Sequence, residues 1–561
     1  MKPAGKKTRN PSQAKPADLA ARLSNPLVSI AILTIITILV YGKTLSLDFT
    51  KLDDSIFIVE NASYNAELKN IGVSFQRGLF NPTKDAYYRP LFLVDFILES
   101  RLFGTNPAGY HFTNLLFHLI SVSLLFLFLR RTGISPDDSF LLALLFAVLP
   151  VLTQAVAWIP GRNDMVLMIF FLSAFLLLFR YAEKPSYLLL AMHFILLLAA
   201  LFTKETAIII PVIMGIFGLF HLKCGWRRLI LPAVSWVAAI GVWLWVRSTA
   251  TLAHNWLSPG EMLQAGFDRL EVILQYLGKI FLPVNLAVFP EAQDITLGWG
   301  VLALAGFTGL LVYSRSYRAP LTWIGLFWFL VFLVPVLIVP KTLNDQVFEH
   351  RLYLPVVGIF LMLSQAFPFG GRLKTGTKMV AVGSICLVFA VQSFIRTDYF
   401  SDPVTFWTHA VQGSPRSAYA KTLLGTKVDD TTEREKLFRE ARALDPYMKN
   451  LNYYLAKVLW DTKRYDSAEV YLRREVAHNP IPDAYFLLAQ IEFTRNNLDS
   501  AALHLEKVIE LNPYVPQANH NLALLHFQNG RPEKAREIVN GMQSRGMAVE
   551  PDLLRLVAGG Q

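Results

Sequence analysis

Two carboxylates, Asp53 and Asp54, stand side by side in the stretch "TKLDDSIFIVENASY", with Lys51 as the nearby cation. The stretch follows the first long apolar block of the chain, so both acids sit where a membrane helix leaves the bilayer. Adjacent acids in such a place raise each other's pKa by repulsion and partial desolvation. One of them then approaches the basicity needed to take a proton from an attacking hydroxyl. Asp53 is the preferred base, with Asp54 positioning it or the acceptor; the reverse assignment stays open, as does a purely structural cap. Further ionisable side chains stand near the ends of other apolar blocks: Arg89, His111, Arg162, Asp164, Lys204, Glu205, Glu349, His350 and Arg351. Charges at membrane depth are costly and usually functional. An Asp pair can bind a divalent metal, but no complete set of oxygen ligands accompanies it, so no metal is expected. No Gly-rich nucleotide loop is present either.

The elements that must position these residues are membrane helices. The chain has 561 residues, 53% of them hydrophobic, against roughly 45–50% in soluble domains. The excess lies in blocks long enough to cross a hydrocarbon core of about 30 Å. Eleven spans are expected, near 27–45, 111–129, 139–158, 164–180, 186–203, 206–221, 229–246, 297–313, 321–339, 352–368 and 377–395. A further segment, 271–289, carries Glu271, Gln275, Lys279, Pro283 and Asn285 and reads as interfacial or re-entrant. Starting with the basic N-terminus in the cytoplasm, every inner loop is basic: Arg130 and Arg131; Arg180 and Lys184; Lys223, Arg227 and Arg228; Arg315 and Arg318; Arg372, Lys374 and Lys378. The formal charge of +11 is thereby explained by topology, and nucleic-acid binding is not expected. The Asp pair, the other polar residues above and the C-terminal tail then share the outer face. Cys224 and Cys386 are too far apart in sequence to imply a disulfide framework or metal site.

After about residue 400 the composition turns polar and periodic. "ALDP", "AHNP" and "ELNP" end at Pro446, Pro480 and Pro513, spacings of 34 and 33 residues. Small residues recur on the helical faces: Ala456 and Ala468, Ala489 and Ala501, Ala523 and Ala535. This is the period of tetratricopeptide helix pairs. Three clear units follow a degenerate one at roughly 403–446, and such units stack into a solenoid whose concave face binds other chains.

Taken together, the motifs resemble those of the transmembrane O-mannosyltransferases that carry tetratricopeptide repeats, within the C-type glycosyltransferase (GT-C) superfamily, in a bacterial-type form. The resemblance rests on "LDDSIFIVEN", "YYRPLFLVDF", "GYHFTNLLFH", "FAVLPVLTQAVAWIPGRNDM", "TKETAI" and "EHRLYLPVVG", in that order. Two positions depart from it: Leu152 and Gln154 stand where the family has His and Glu. The fold it implies is all-α: a polytopic transmembrane helical bundle followed by a tetratricopeptide α-solenoid. Residues 1–26 would be a cytoplasmic basic tail, 27–396 the glycosyltransferase domain with a large outer loop at 46–110, and 403–561 the repeat domain on the non-cytoplasmic side.

The resemblance implies transfer of a sugar, mannose being one option, from a polyprenyl-phosphate donor to a hydroxyl acceptor, such as Ser or Thr of a secreted protein held by the repeats. No cofactor is expected beyond that lipid-linked co-substrate. Asp53 and Asp54 would be catalytic. Arginine binds phosphate through paired charged hydrogen bonds, so Arg351 and Arg89, then Arg162 and Lys204, would hold the donor phosphate. His111, Asp164, Glu205, Glu349 and His350 would line the substrate site. The expected location is a bacterial inner membrane, with the N-terminus cytoplasmic and the repeats periplasmic. A ligase or polymerase using a diphosphate-linked glycan, and a non-enzymatic membrane scaffold, are the alternatives.

Overall fold

A computed structural model describes residues 19–80, 87–223, 225–251, 257–294, 296–341, 344–371 and 373–558. The tail before Leu19, Cys224 and Arg372 lie outside them. Among the described residues all regular structure is helical, apart from one isolated antiparallel bridge between Glu291 and Gln346. The chain divides into two compact units, Met1–Gly413 and Ser414–Gln561.

In the first unit six helices are long and apolar enough to cross a membrane: Pro26–Ser46, Pro107–Arg131, Ile159–Glu183, Trp226–Ala250, Pro320–Leu337 and Thr375–Phe400. Proline at the first turn and an Asn cap start two of them. Asn25 accepts from the Leu27 N–H at 3.0 Å and Asn106 from the Ala108 N–H at 3.1 Å, which satisfies donors the helix itself leaves free. A seventh span would be the pair Pro136–Val148 and Pro150–Ala157, bent by 50° where Pro150 interrupts the backbone ladder. Tyr187–Thr203, Glu205–Phe220 and Gly298–Tyr313 are shorter apolar helices at three of the expected spans.

The expected span at 352–368 is different. Its α-helical part, Pro355–Leu363, has nine residues, about 14 Å of rise, and follows closely on the 3-10 turn Glu349–Leu352. Its apolar side chains are buried in protein: Val356, Val357, Phe360 and Leu361 are all at most 2% exposed. Gly358 lies against Gly325 of the Pro320–Leu337 helix, where a Cβ would meet the Gly358 carbonyl at 2.5 Å. Small residues permit that backbone approach. The 271–289 segment forms a helix over Glu271–Phe281 that stops before Pro283, and the chain then runs without regular structure to the short turn at Ala292–Asp294.

The second unit stacks helix pairs: Ala418–Gly425 with Thr431–Leu444, Leu451–Asp461 with Tyr465–His478, Pro482–Thr494 with Leu498–Leu511, and Pro516–Gln528 with Pro532–Ser544. The alanines picked out by period are at most 1% exposed. They sit where neighbouring helices pack, so a larger side chain there would push a pair apart. The helix Pro403–Gly413 goes with the first unit.

Candidate functional site

The loop that carries the Asp pair is folded by its own aromatic cluster. Phe49, Phe57, Phe92, Phe96 and Tyr110 are buried together with Ile58 and Ile159, and Phe57 stacks on Phe96 at 5.6 Å. The helix Pro90–Phe103 supplies Phe92, Leu93 and Phe96 to this cluster and begins immediately after Arg89. Lys51 turns the chain through a left-handed conformation, φ 54°. The two acids that follow then diverge. The Asp54 carboxylate accepts the Thr50 N–H at 2.6 Å, the Thr50 hydroxyl at 3.0 Å and the Ser55 N–H at 3.0 Å. It is 1% exposed and acts as the clasp of its own turn. Asp53 is half-buried, and among the described residues no hydrogen bond engages its carboxylate. Burial, then the Asp54 charge, push its pKa up to about 6, with Arg89 opposing.

Arg89 is aimed by Glu205. The Glu205 carboxylate accepts the Tyr88 N–H at 2.7 Å and the Arg89 Nε–H at 2.9 Å, and Tyr87 lies under the guanidinium at 4.8 Å. Among the described residues no hydrogen bond engages the two terminal amino groups of Arg89. Lys204, just before Glu205, donates to both Asp164 oxygens at 2.7 Å. His350 Nε2 lies 3.9 Å from the same carboxylate. Arg89 and Arg351 both act electrostatically on Lys204 and His350, and Arg89 also acts on Asp164. Arg351 donates to the Gln346 carbonyl at 2.8 Å and lies over Phe348. The structure thus gathers Asp53, Asp54, Arg89, Asp164, Lys204, Glu205, His350 and Arg351 into one charged group. It contains a free carboxylate able to accept a proton and cations able to hold an anion. Burial, together with Lys204, Arg351 and Arg89, keeps the His350 imidazole neutral by lowering its pKa well below the usual value.

Three expected site residues have other surroundings. Arg162 is fully buried and spends its donors on protein: on Asp95 at 2.8 Å, on Glu99, on the Tyr110 carbonyl at 2.8 Å and on the Ile159 carbonyl at 3.2 Å. It ties the loop after the first span to the base of the Arg162–Glu183 helix, and its donors are taken up by protein groups. Glu349 is fully buried between Lys279, at 2.8 Å, and Arg396, and accepts the Ala287 N–H at 2.9 Å. His111 is buried beside the Asp48 backbone on the Arg162 side.

The sequence marked Gln154 as a departure and gave no role for it. Its Oε1 accepts the backbone N–H of Glu349 at 2.9 Å and of His350 at 3.1 Å, and its amide nitrogen donates to the Val288 carbonyl at 2.7 Å. Because that oxygen only accepts, the 3.2 Å contact to His350 Nδ1 puts the ring proton on Nδ1. Nε2 is then left as an acceptor toward the charged group. Gln154 therefore holds the segment that carries His350 and Arg351. Leu152 is simply core, with no exposure. Arg396 and Arg269 were also missed: Arg269 is 1% exposed and donates to the Val339 and Asn344 carbonyls. The available signal was an ionisable residue at the end of an apolar block, the same signal that marked Arg351.

Comparison with known proteins agrees with the two-part chain. The tetratricopeptide repeat family models match residues 453–516 and 492–558. The Caenorhabditis elegans protein O-mannosyl-transferase F38B6.6 is 27% identical over 446 residues, 74% of this chain and 63% of that protein. Human protein O-mannosyl-transferase TMTC1 is 31% identical over 233 residues, 38% of this chain and 26% of that one. This chain thus spans less than two thirds of the length of either relative. Among solved structures, a crystal structure of MamA protein is 17% identical, covering 28% of this chain and 91% of its own, with a TM-score of 0.24, too low to carry an argument. By sequence, the chain is a relative of the protein O-mannosyl-transferases and bears tetratricopeptide repeats at its C-terminal end.

Proposed function

We propose that the chain is a multi-pass membrane glycosyltransferase that moves mannose from a polyprenyl-phosphate donor to a protein hydroxyl at the outer face of a membrane. The observation that carries this reading is the contrast within the Asp pair: Asp54 is used up as a clasp, while Asp53 keeps a free carboxylate of raised pKa facing Arg89. In the proposed reaction the acceptor oxygen attacks the anomeric carbon and its proton passes to Asp53. The bond from that carbon to the phosphate oxygen breaks, and its electron pair stays on the phosphate. Arg89 and Arg351 hold the phosphate as that charge develops, the situation in which preorganised donors contribute most. The names of the relatives support mannose and a protein acceptor, and the repeats support a protein held in place.

The test is transfer from a radiolabelled mannosyl lipid to protein acceptor, with the full chain in nanodiscs and mono- and diphosphate donors side by side. Asp53→Asn should lose about 10²-fold or more in rate, with the monophosphate donor preferred. Wild-type turnover by Asp53→Asn would refute the assignment, and a diphosphate preference would replace the donor with that of a glycan ligase.

A further inference from the structure

A cavity of about 480 Å³ opens among three spans and their neighbour, lined by Leu127, Leu176, Leu177, Met192 and Leu196, with Arg130, Arg131 and Arg180 at its mouth. The residues come from the start of the Pro26–Tyr41 helix, the C-terminal halves of Pro107–Arg131 and Arg162–Glu183, and the stretch from Met192 to Leu196 of Tyr187–Thr203. Ser173 lines the deep part, about two turns or roughly 10 Å from Arg180 along the helix. The wall is therefore apolar at bilayer depth and cationic where the spans end.

The charges at the mouth do not cancel. Arg131 forms a two-pronged pair with Glu183, at 3.1 and 3.3 Å. Arg130 donates to a neutral group, the Ser24 carbonyl at 3.1 Å, and lies over the Phe126 ring. Among the described residues no hydrogen bond or ion pair engages the Arg180 guanidinium. Three arginines against one carboxylate leave two positive charges over an apolar slot.

We propose that this crevice is a binding site for an anionic membrane phospholipid, with an acyl chain along the leucine-lined slot and the headgroup phosphate under Arg130 and Arg180. Topology alone places arginines at the ends of spans, but it does not require a slot between them. A slot of this size open to the bilayer is filled by lipid, and two uncompensated arginines select an anionic one. The site is separate from the charged group around Asp53, so the proposal stands whether or not that group transfers a sugar.

The test is native mass spectrometry of the full chain, purified in mild detergent and offered phosphatidylglycerol and phosphatidylethanolamine of identical chains in equal amounts. Wild type should retain phosphatidylglycerol in about tenfold excess. A triple variant, Arg130→Gln with Arg131→Gln and Arg180→Gln, should bring that ratio close to one, and the matching triple lysine variant should keep most of it. Ser173→Trp, which fills the slot, should lower retention of both lipids. Thermal unfolding of each variant is recorded alongside; where the glutamine variant fails to fold, the lysine and tryptophan variants decide. Equal retention of the two lipids by wild type, an undiminished preference in a folded glutamine variant, or unchanged retention in Ser173→Trp would each overturn the proposal.

Discussion

At Asp53 burial and the neighbouring Asp54 charge both favour the protonated acid, and Arg89 opposes them without winning. A carboxylate with a pKa of about 6 is mostly ionised at neutral pH and is a far better base than an ordinary one. The same shift has a cost in stability. Between the ordinary 3.8 and about 6 the unfolded chain has given up this proton while the folded protein keeps it. Stability from this group is therefore full below pH ~4, falls as pH rises through that window, and is level above it. Asp53→Asn removes the loss. At pH 7 the variant should unfold at a higher temperature than wild type, by up to about 3 kcal/mol of stability, and the two should converge below pH ~4. Transfer by wild type should rise with pH through about 6, and the residual transfer of the variant should lack that rise. Scanning calorimetry across pH, paired with rates at each pH, reads both. A variant less stable than wild type at pH 7 would mean that the carboxylate has a partner and is not a free base.

The elements around the site are joined by buried charge. Glu349 meets Lys279, from the Glu271–Phe281 helix, and Arg396, from the end of the Thr375–Arg396 helix, and all three are at most 3% exposed. Two cations share one anion, so the partners are not equivalent. Glu349→Gln leaves both cations buried without a counter-charge, a loss of about 3–5 kcal/mol. Lys279→Met leaves a balanced Glu349–Arg396 pair and should cost distinctly less. Thermal unfolding of the two variants in one detergent checks the order, and equal losses would rule out the shared-anion account. This junction also shows what a sequence conceals. Glu349, His350 and Arg351 read as one polar motif, yet Glu349 turns inward to a lysine 70 residues away, and only His350 and Arg351 reach the charged group. Arg162 is concealed in the same way: its partners Asp95 and Glu99 are 67 and 63 residues away. Residues 352–368 read as one continuous apolar block, yet only Pro355–Leu363 is α-helical, because composition records apolarity and not where a helix breaks. The turn around Asp54 is legible because Thr50 and Ser55 are its near neighbours in sequence, and the repeats are legible because their packing recurs at a fixed period.

The whole molecule joins two units that owe their stability to different contacts. Every residue of the charged group lies in Met1–Gly413, whereas Ser414–Gln561 is closed by clusters of its own, one around Leu455 and Leu488, one around Leu505 and Leu522, and one around Val539 and Leu553. In a repeat array each pair is stabilised by the next, with no need of distant sequence, and the exposed faces carry charge pairs such as Arg464–Glu435 and Arg495–Glu469. The segment 414–561 should therefore fold when made alone, with a cooperative helical unfolding transition by circular dichroism. If the repeats hold the acceptor, the chain ending at residue 413 should bind the mannosyl lipid as tightly as the full chain. It should also transfer to a short hydroxyl peptide, with the loss confined to KM for folded protein acceptors, because the repeats would supply binding remote from the reacting atoms. Loss of lipid binding on removal of the repeats would instead make them part of the donor site, and an unchanged KM for protein acceptors would leave them no part in acceptor capture.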